Sequence, residues 1–208
     1  MSTSRKPRGP YRKGLERRRQ ILRAALEVYS EGGERGSSLK EIADRVGLSQ
    51  AGVLHYFESR EELLLAVLAE RDLAGTEATR DAASPGEAVA RAVVHNARQP
   101  GLVDLFVTLS AAASDVEHPA HAFFTQRYDA LSAQIEDGME QARRRGNVRE
   151  DVTPEQLSRL LIAVADGLQL QWLLNPDMDM AELVEVFNRM CRPPAGEEPS
   201  APASDVHG

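Results

Sequence analysis

The chain has a single cysteine, Cys191, so it cannot close a disulfide within itself. One thiol near a helix end suits a reducing compartment and reads as inert rather than redox-sensing. No apolar run approaches the roughly 18–20 residues of a membrane span, and no apolar stretch follows the basic N-terminus to make it a secretory signal. A cytoplasmic location is expected. No Gly-rich phosphate loop follows a strand, no strand-turn presents a nucleophile, and no close Cys/His pairing occurs. These absences argue against an enzyme, a cofactor and a metal centre. His118 and His121, near Asp115 and Glu117, invite a metal reading, but a His-Pro pair at a helix start is commoner as a cap and turn. Period-two alternation is missing too, which leaves an all-α fold.

Lysine is scarce, and all three lysines lie at or before position 40. The net charge of −7 is unevenly spread: residues 1–60 hold thirteen Lys/Arg against seven Asp/Glu, whereas residues 61–208 hold twelve against twenty-five. A basic head on an acidic body is the pattern of a polyanion reader whose body repels phosphate and orients the encounter. With 42% apolar residues the chain can fill a sizeable core.

What is present is concentrated in residues 38–63. Ser38 and Glu41 are spaced as a capping box, and Leu39, Ile42, Ala43 and Val46 recur at helical spacing. Gly47 stands where a left-handed residue ends that helix. Ser49 is placed to cap a second short helix, Gln50 to Phe57, and Ser59 with Glu62 forms a box for a third. Two short helices joined by a three-residue turn containing glycine form a helix-turn-helix, whose second helix enters the major groove.

The elements Leu39-x-x-Ile42-Ala43, Gly47-Leu48-Ser49, His55-Tyr56-Phe57 and Arg60-x-x-Leu63 resemble the N-terminal domain of TetR-family transcriptional regulators. The resemblance covers residues 12–65 or so. Leu54 stands where many members carry Tyr, and Arg60 where many carry Lys; Arg60 can still hold a phosphate, while Leu54 cannot donate a hydrogen bond. Residues 118–128 and 166–177 resemble one actinobacterial-type subgroup, which does not specify an effector.

The expected organisation is a flexible basic arm (1–11), a helix-turn-helix domain (12–59), a helical effector-binding and dimerisation domain (60–192), and a disordered tail (193–208). A first helix of about twenty residues carries Leu15, Leu22, Ala25, Leu26 and Tyr29 on one face and ends near Gly32-Gly33. The helix from Arg60 loosens by Gly75, and a helix from Pro85 runs to Gln99, stopped by Pro100-Gly101. A short helix from Leu102 to about Ala113 follows, and then a long one opened by Pro119 and closed at Arg143-Arg144-Arg145-Gly146. Thr153-Pro154-Glu155-Gln156 opens a helix reaching Leu174. A last helix spans Met180 to Arg192. The total is about nine.

Only the first turn or two of a recognition helix reaches base edges, while its flanks grip phosphates. Gln50 can pair with an adenine, Ala51 can touch a thymine methyl, and Gly52 lets the backbone approach. Ser38, Lys40, Ser49, Tyr56 and Arg60 form the phosphate set, helped by Arg5, Lys6, Arg8, Arg12 and Lys13; His55 suits either role. One such helix reads too few base pairs for a genomic address, so a symmetric pair on double-stranded operator DNA is expected. The helix 154–174 is apolar on more than one side and must be buried on more than one side. Leu161, Ala165, Leu168 and Trp172, with Val186, Phe187 and Met190, are the expected homodimer interface. Asp166, set among these apolar residues, needs a partner. The family resemblance implies the same pairing, through the last two long helices. It also implies a small-molecule effector that shifts the fourth helix and releases a repressor from a palindromic operator. His95, Asn96, Asp104, Thr108, Tyr128, Gln169 and Trp172 are the polar residues available to hold it. The alternatives are an activator without a small-molecule ligand and a helical protein-interaction module.

Overall fold

The computed structural model describes residues 9–36 and 38–193. Among these residues it contains nine helices and no strand: α1 (Gly9–Gly36), α2 (Leu39–Val46), α3 (Gln50–Leu54), α4 (Arg60–Thr79), α5 (Pro85–Ala97), α6 (Pro100–Ala112), α7 (Ala120–Arg144), α8 (Pro154–Leu174) and α9 (Met180–Met190).

Most helix starts follow from local chemistry. Ser38, Ser49, Ser59, Ser84, Thr153 and Asp179 each accept a hydrogen bond from the amide three residues on, satisfying a donor that the first turn leaves open. At Thr153 both halves of the capping box form, with Gln156 Oε1 accepting from the Thr153 amide at 3.0 Å. The other Glu residues of such boxes are used differently. Glu41 is held by Arg45 at 3.1 Å, and Glu62 accepts from the amide of Glu58. His118 caps through its ring: Nδ1 accepts from the Ala120 amide at 3.2 Å at the head of α7.

Several boundaries differ from the sequence expectation. Helix α1 already includes residues 9–11, expected in the arm, and runs through Gly32-Gly33 to Gly36. An interior glycine costs only about 1 kcal/mol, less than the packing of this helix returns. The rest of the expected arm, with Arg5, Lys6 and Arg8, and the tail beyond residue 193 lie outside the described residues. Helix α4 continues past Gly75 to Thr79. Pro100-Gly101 follows the end of α5 and is itself the first turn of α6, where a proline lacks nothing a helix needs. Helix α3 closes at Leu54 rather than Phe57, because the Tyr56 amide bonds the Val53 carbonyl at 2.9 Å and the tightened turn swings Phe57 into the core.

Two apolar cores result. The first joins Ile21, Val28 and Tyr29 of α1, Ile42 and Ala43 of α2, Val53 of α3 and Leu63, Leu64, Val67 and Leu68 of α4; Leu102, Leu105, Phe106 and Leu109 of α6 and Phe124 of α7 belong to the same cluster. The head is therefore continuous with α6. The second joins α5, the far end of α7, α8 and α9 around Val93, Ile135, Leu157, Leu161 and Val184. Side chains press against glycine backbone there: a Cβ at Gly138 would lie 2.5 Å from Pro85 Cγ, and one at Gly86 2.0 Å from Asn188 Oδ1. Of the described helices, α8 alone is long and apolar enough to cross a membrane by length and composition; here it packs at the centre of the second core.

Candidate nucleic-acid interface and ligand cavity

The head is held by contacts that set the angle of α3. Gly47 has φ 65° and ψ 40°, a left-handed conformation a side chain would strain, and the Leu48 amide bonds the Ala43 carbonyl at 2.9 Å. From α1, Arg17 Nη2 donates to the Val46 carbonyl at 2.6 Å. Arg18 donates to Glu62 Oε1 at 2.9 Å while its guanidinium lies 4.3 Å from the Phe57 ring centroid. Val53 and Phe57, 0% and 1% exposed, anchor the underside of α3.

The opposite side carries the expected DNA set. Ser38, Lys40, Ser49, Gln50, Ala51 and His55 are exposed; Gly52, Tyr56 and Arg60 are half-buried. Arg12 and Lys13 are exposed on the first turns of α1. Ser49 Oγ accepts from the Gly52 amide at 3.0 Å, and Ser38 Oγ from the Glu41 amide at 3.1 Å. Capping uses only an oxygen lone pair, so each hydroxyl keeps its hydrogen for an acceptor such as a phosphate. A Cβ at Gly52 would sit 3.3 Å from Ser49 Oγ, so a larger residue there would disturb the cap. The rings of His55 and Tyr56 meet edge to face at 5.5 Å.

A half-open cavity of about 1670 Å³ lies in the body between α4, α5, α7, α8 and α9. Asn96 and Gln169 line it. Tyr128 reaches it through Asp166: its hydroxyl donates to Asp166 Oδ2 at 2.6 Å, which supplies the partner that carboxylate needs. The remaining expected effector residues lie elsewhere. His95 opens instead onto a separate, smaller cleft between α5 and α9. Asp104, Thr108 and Trp172 line neither; Asp104 and Thr108 lie on α6, away from the cavity wall, and Thr108 is exposed.

Sequence reasoning missed the two arginines of this cavity. Arg71 of α4 is 4% exposed, and its Nη2 donates to Gln169 Oε1 at 2.6 Å. Arg127 of α7 donates through Nε to Asp72 Oδ2 at 2.7 Å. Both guanidiniums lie over the Phe106 ring, at 4.7 and 4.9 Å from its centroid. Burial lowers the Arg71 pKa to about 10, and the like charge of Arg127 adds to the effect. For Arg127 burial is outweighed by Asp72 and Asp166, and its pKa is raised. Burial likewise raises the pKa of Asp166, against the opposing hydrogen bond of Tyr128 and the two cations. The available signal was position: Arg71 continues the apolar stripe of Leu64, Val67 and Leu68, where a solvated cation does not belong.

Residues 21–67 match the family of bacterial regulatory proteins, tetR family, and residues 86–192 match the BetI-type transcriptional repressor, C-terminal, family. The chain belongs to the TetR family of transcriptional regulators. It is a DNA-binding regulator with a BetI-type repressor body, not an enzyme. It is similar to the regulator RutR of Escherichia coli, 42% identical over 52 residues, which are 25% of this chain and only about a quarter (24%) of that protein's length. Over a longer span it is similar to the repressor AcnR of Corynebacterium diphtheriae, 25% identical over 177 residues, covering 81% of this chain and 87% of that one. Among solved structures, a transcriptional regulator from Saccharomonospora viridis in complex with choline shares the fold, with a TM-score of 0.67 and 22% identity over 84% of this chain and 96% of that one.

The expected dimer residues divide. Leu161 and Leu168 are 0% and 7% exposed within the single chain, so they face its own core and are corrected as interface residues. Ala165 lines the cavity. Trp172, Val186 and Phe187 are half-buried, and Met190 is exposed.

Proposed function

We propose that this TetR-family protein is a homodimeric cytoplasmic repressor that reads a palindromic operator with α2–α3 and is released by a small molecule in the body cavity. The carrying observation is the course of α4. Its first half buries Leu63, Leu64, Val67 and Leu68 in the core of the head, and its second half, from Arg71 to Thr79, walls the cavity. One rigid helix therefore meets both sites, so a ligand that prefers one position of α4 biases the head. The domain division we favour places the head at 12–59 and the ligand-binding body at 60–192, with α6 shared between their cores.

An unpartnered apolar stripe supports pairing. Leu160, Ala163, Leu170 and Leu174 of α8 are exposed along one side of that helix, and Leu183 and Met190 of α9 are exposed beside Val186 and Phe187. A second copy would cover this stripe while the opposite face of α8 stays in its own core. In the DNA complex Gln50, Ala51 and Gly52 address bases, and Ser38, Lys40, Ser49, Tyr56 and Arg60 address phosphates, with His55 at the margin.

Footprinting on the DNA upstream of the protein's own reading frame tests this reading. Two protected half-sites, their centres about one helical turn (10–10.5 bp) or a multiple apart, are expected, together with higher reporter transcription on deletion of the protein. A single unpaired footprint contradicts the dimer; lower transcription on deletion identifies an activator.

A further inference from the structure

We propose that the cavity binds a singly charged organic carboxylate, gripped by Arg71 and Arg127, and that this acid is the effector. The effector half of the proposal rests on the repressor reading above; the binding half does not.

The argument turns on which polar groups are already taken. The acceptors facing this part of the cavity are engaged: Asp72 takes Arg127 Nε at 2.7 Å, Asp166 takes the Tyr128 hydroxyl at 2.6 Å, and Gln169 Oε1 takes Arg71 Nη2 at 2.6 Å and Asn96 Nδ2 at 3.2 Å. The groups left over are donors. Nε and Nη1 of Arg71 and Nη1 of Arg127 are buried without a hydrogen-bond partner. Arg71 Nη1 stands 3.8 Å from the Asp72 carboxylate, beyond hydrogen-bond reach. A buried guanidinium with idle donors is costly, and a planar oxyanion between the two arginines can accept from an idle donor of each. Asp72 and Asp166 can each accept a further donor, but only a ligand with acceptor atoms answers the idle buried donors.

Charge narrows the class. Two arginines face two aspartates, and the cavity lining as a whole holds five arginines against four carboxylates. The cavity is then short of about one negative charge, which suits a monoanionic carboxylate better than a dianionic phosphate. The same cavity is walled by Val93, Leu131 and Ile135, so the acid should carry an apolar body. Arg71 lies one turn beyond Val67 and Leu68, which are buried in the head core, so an acid bound to it acts directly on α4.

The test is calorimetry on the full-length protein with butanoate, hexanoate, octanoate and decanoate, each compared with the alcohol and the trimethylammonium of the same chain length. At least one acid is expected to bind about tenfold or more tightly than both counterparts. Arg71→Met should bring the acid-to-alcohol ratio to about one while alcohol affinity stays within about twofold; Arg71→Lys, which keeps the charge but loses the fork, should retain part of the preference. Thermal unfolding of each variant establishes that it is folded. Absence of any acid preference in the wild type, or a preference that survives Arg71→Met, overturns the site. Wild-type protein on its upstream DNA separates the two ideas. Release by the preferred acid supports both; an acid that binds without releasing DNA keeps the site and removes the effector role. Release by an ammonium with no acid preference removes the carboxylate site and keeps the effector reading.

Discussion

The head and the cavity are built from the same helix in opposite ways. Along the first half of α4, Leu63, Leu64, Val67 and Leu68 are all at most 1% exposed, and the polar groups around them are held locally by caps, Arg17 and Arg18. One turn further on, Arg71 is just as buried, yet two of its three nitrogens have no hydrogen-bond partner. Stability is concentrated in the first region. In the second, buried donors of Arg71 and Arg127 are left without hydrogen-bond partners. A regulator needs both, because a head that deforms cannot keep register on DNA and a cavity already satisfied has no use for a ligand.

Substitutions should expose this contrast, with the largest effect in the head. Phe57→Ala empties a fully buried site under Arg18 and should cost about 3–5 kcal/mol by denaturant titration. Because α6 shares that core, the loss should appear in one cooperative transition rather than in a separately melting head. Gly138→Ala, which forces a methyl against the ring of Pro85, should cost about 1–3 kcal/mol at the junction of α5 and α7. Discrimination at one base pair should fall by about 1–3 kcal/mol in Gln50→Ala, measured by competition among operator variants. Arg60→Ala should weaken binding to all sequences and reduce the salt slope by about 0.9. Arg71→Met should be neutral or stabilising, the reverse of what loss of a buried side chain does in the head; a drop as large as that of Phe57→Ala would erase the distinction. The smallest effect concerns pH. The folded state raises the Asp166 pKa above 3.8, so the stability its protonated form contributes is complete below 3.8 and lost as pH rises through the raised value. In Asp166→Asn that part of the pH dependence should be absent.

Much of this was legible because the signals were local. The Thr153-Pro154-Glu155-Gln156 start marked α8 to the residue, and Ser38, Gly47, Ser49 and Ser59 laid out the head. Where one local signal had two meanings, reading failed. Pro100-Gly101 serves equally as a stop or a first turn, and Gly32-Gly33 and Gly75 break a helix only when packing does not outweigh them. Around the cavity the cause is distance. Arg71 meets Gln169 98 residues away, and Arg127 meets Asp72 across 55. Residue type marks an arginine as a surface group, and only the packing of α4 against α6 and α7 turns these two inward. The same packing carried Asp104, Thr108 and His95 away from the cavity and sent Leu161 and Leu168 into the chain's own core.

The most direct test is a titration of the full-length protein on the DNA upstream of its own reading frame, at two salt concentrations and against scrambled competitor. The account predicts tight, competitor-resistant binding that weakens steeply with salt, by several phosphates' worth of slope at about 0.9 each. Binding no tighter than to scrambled DNA, repeated across genomic fragments, would contradict it.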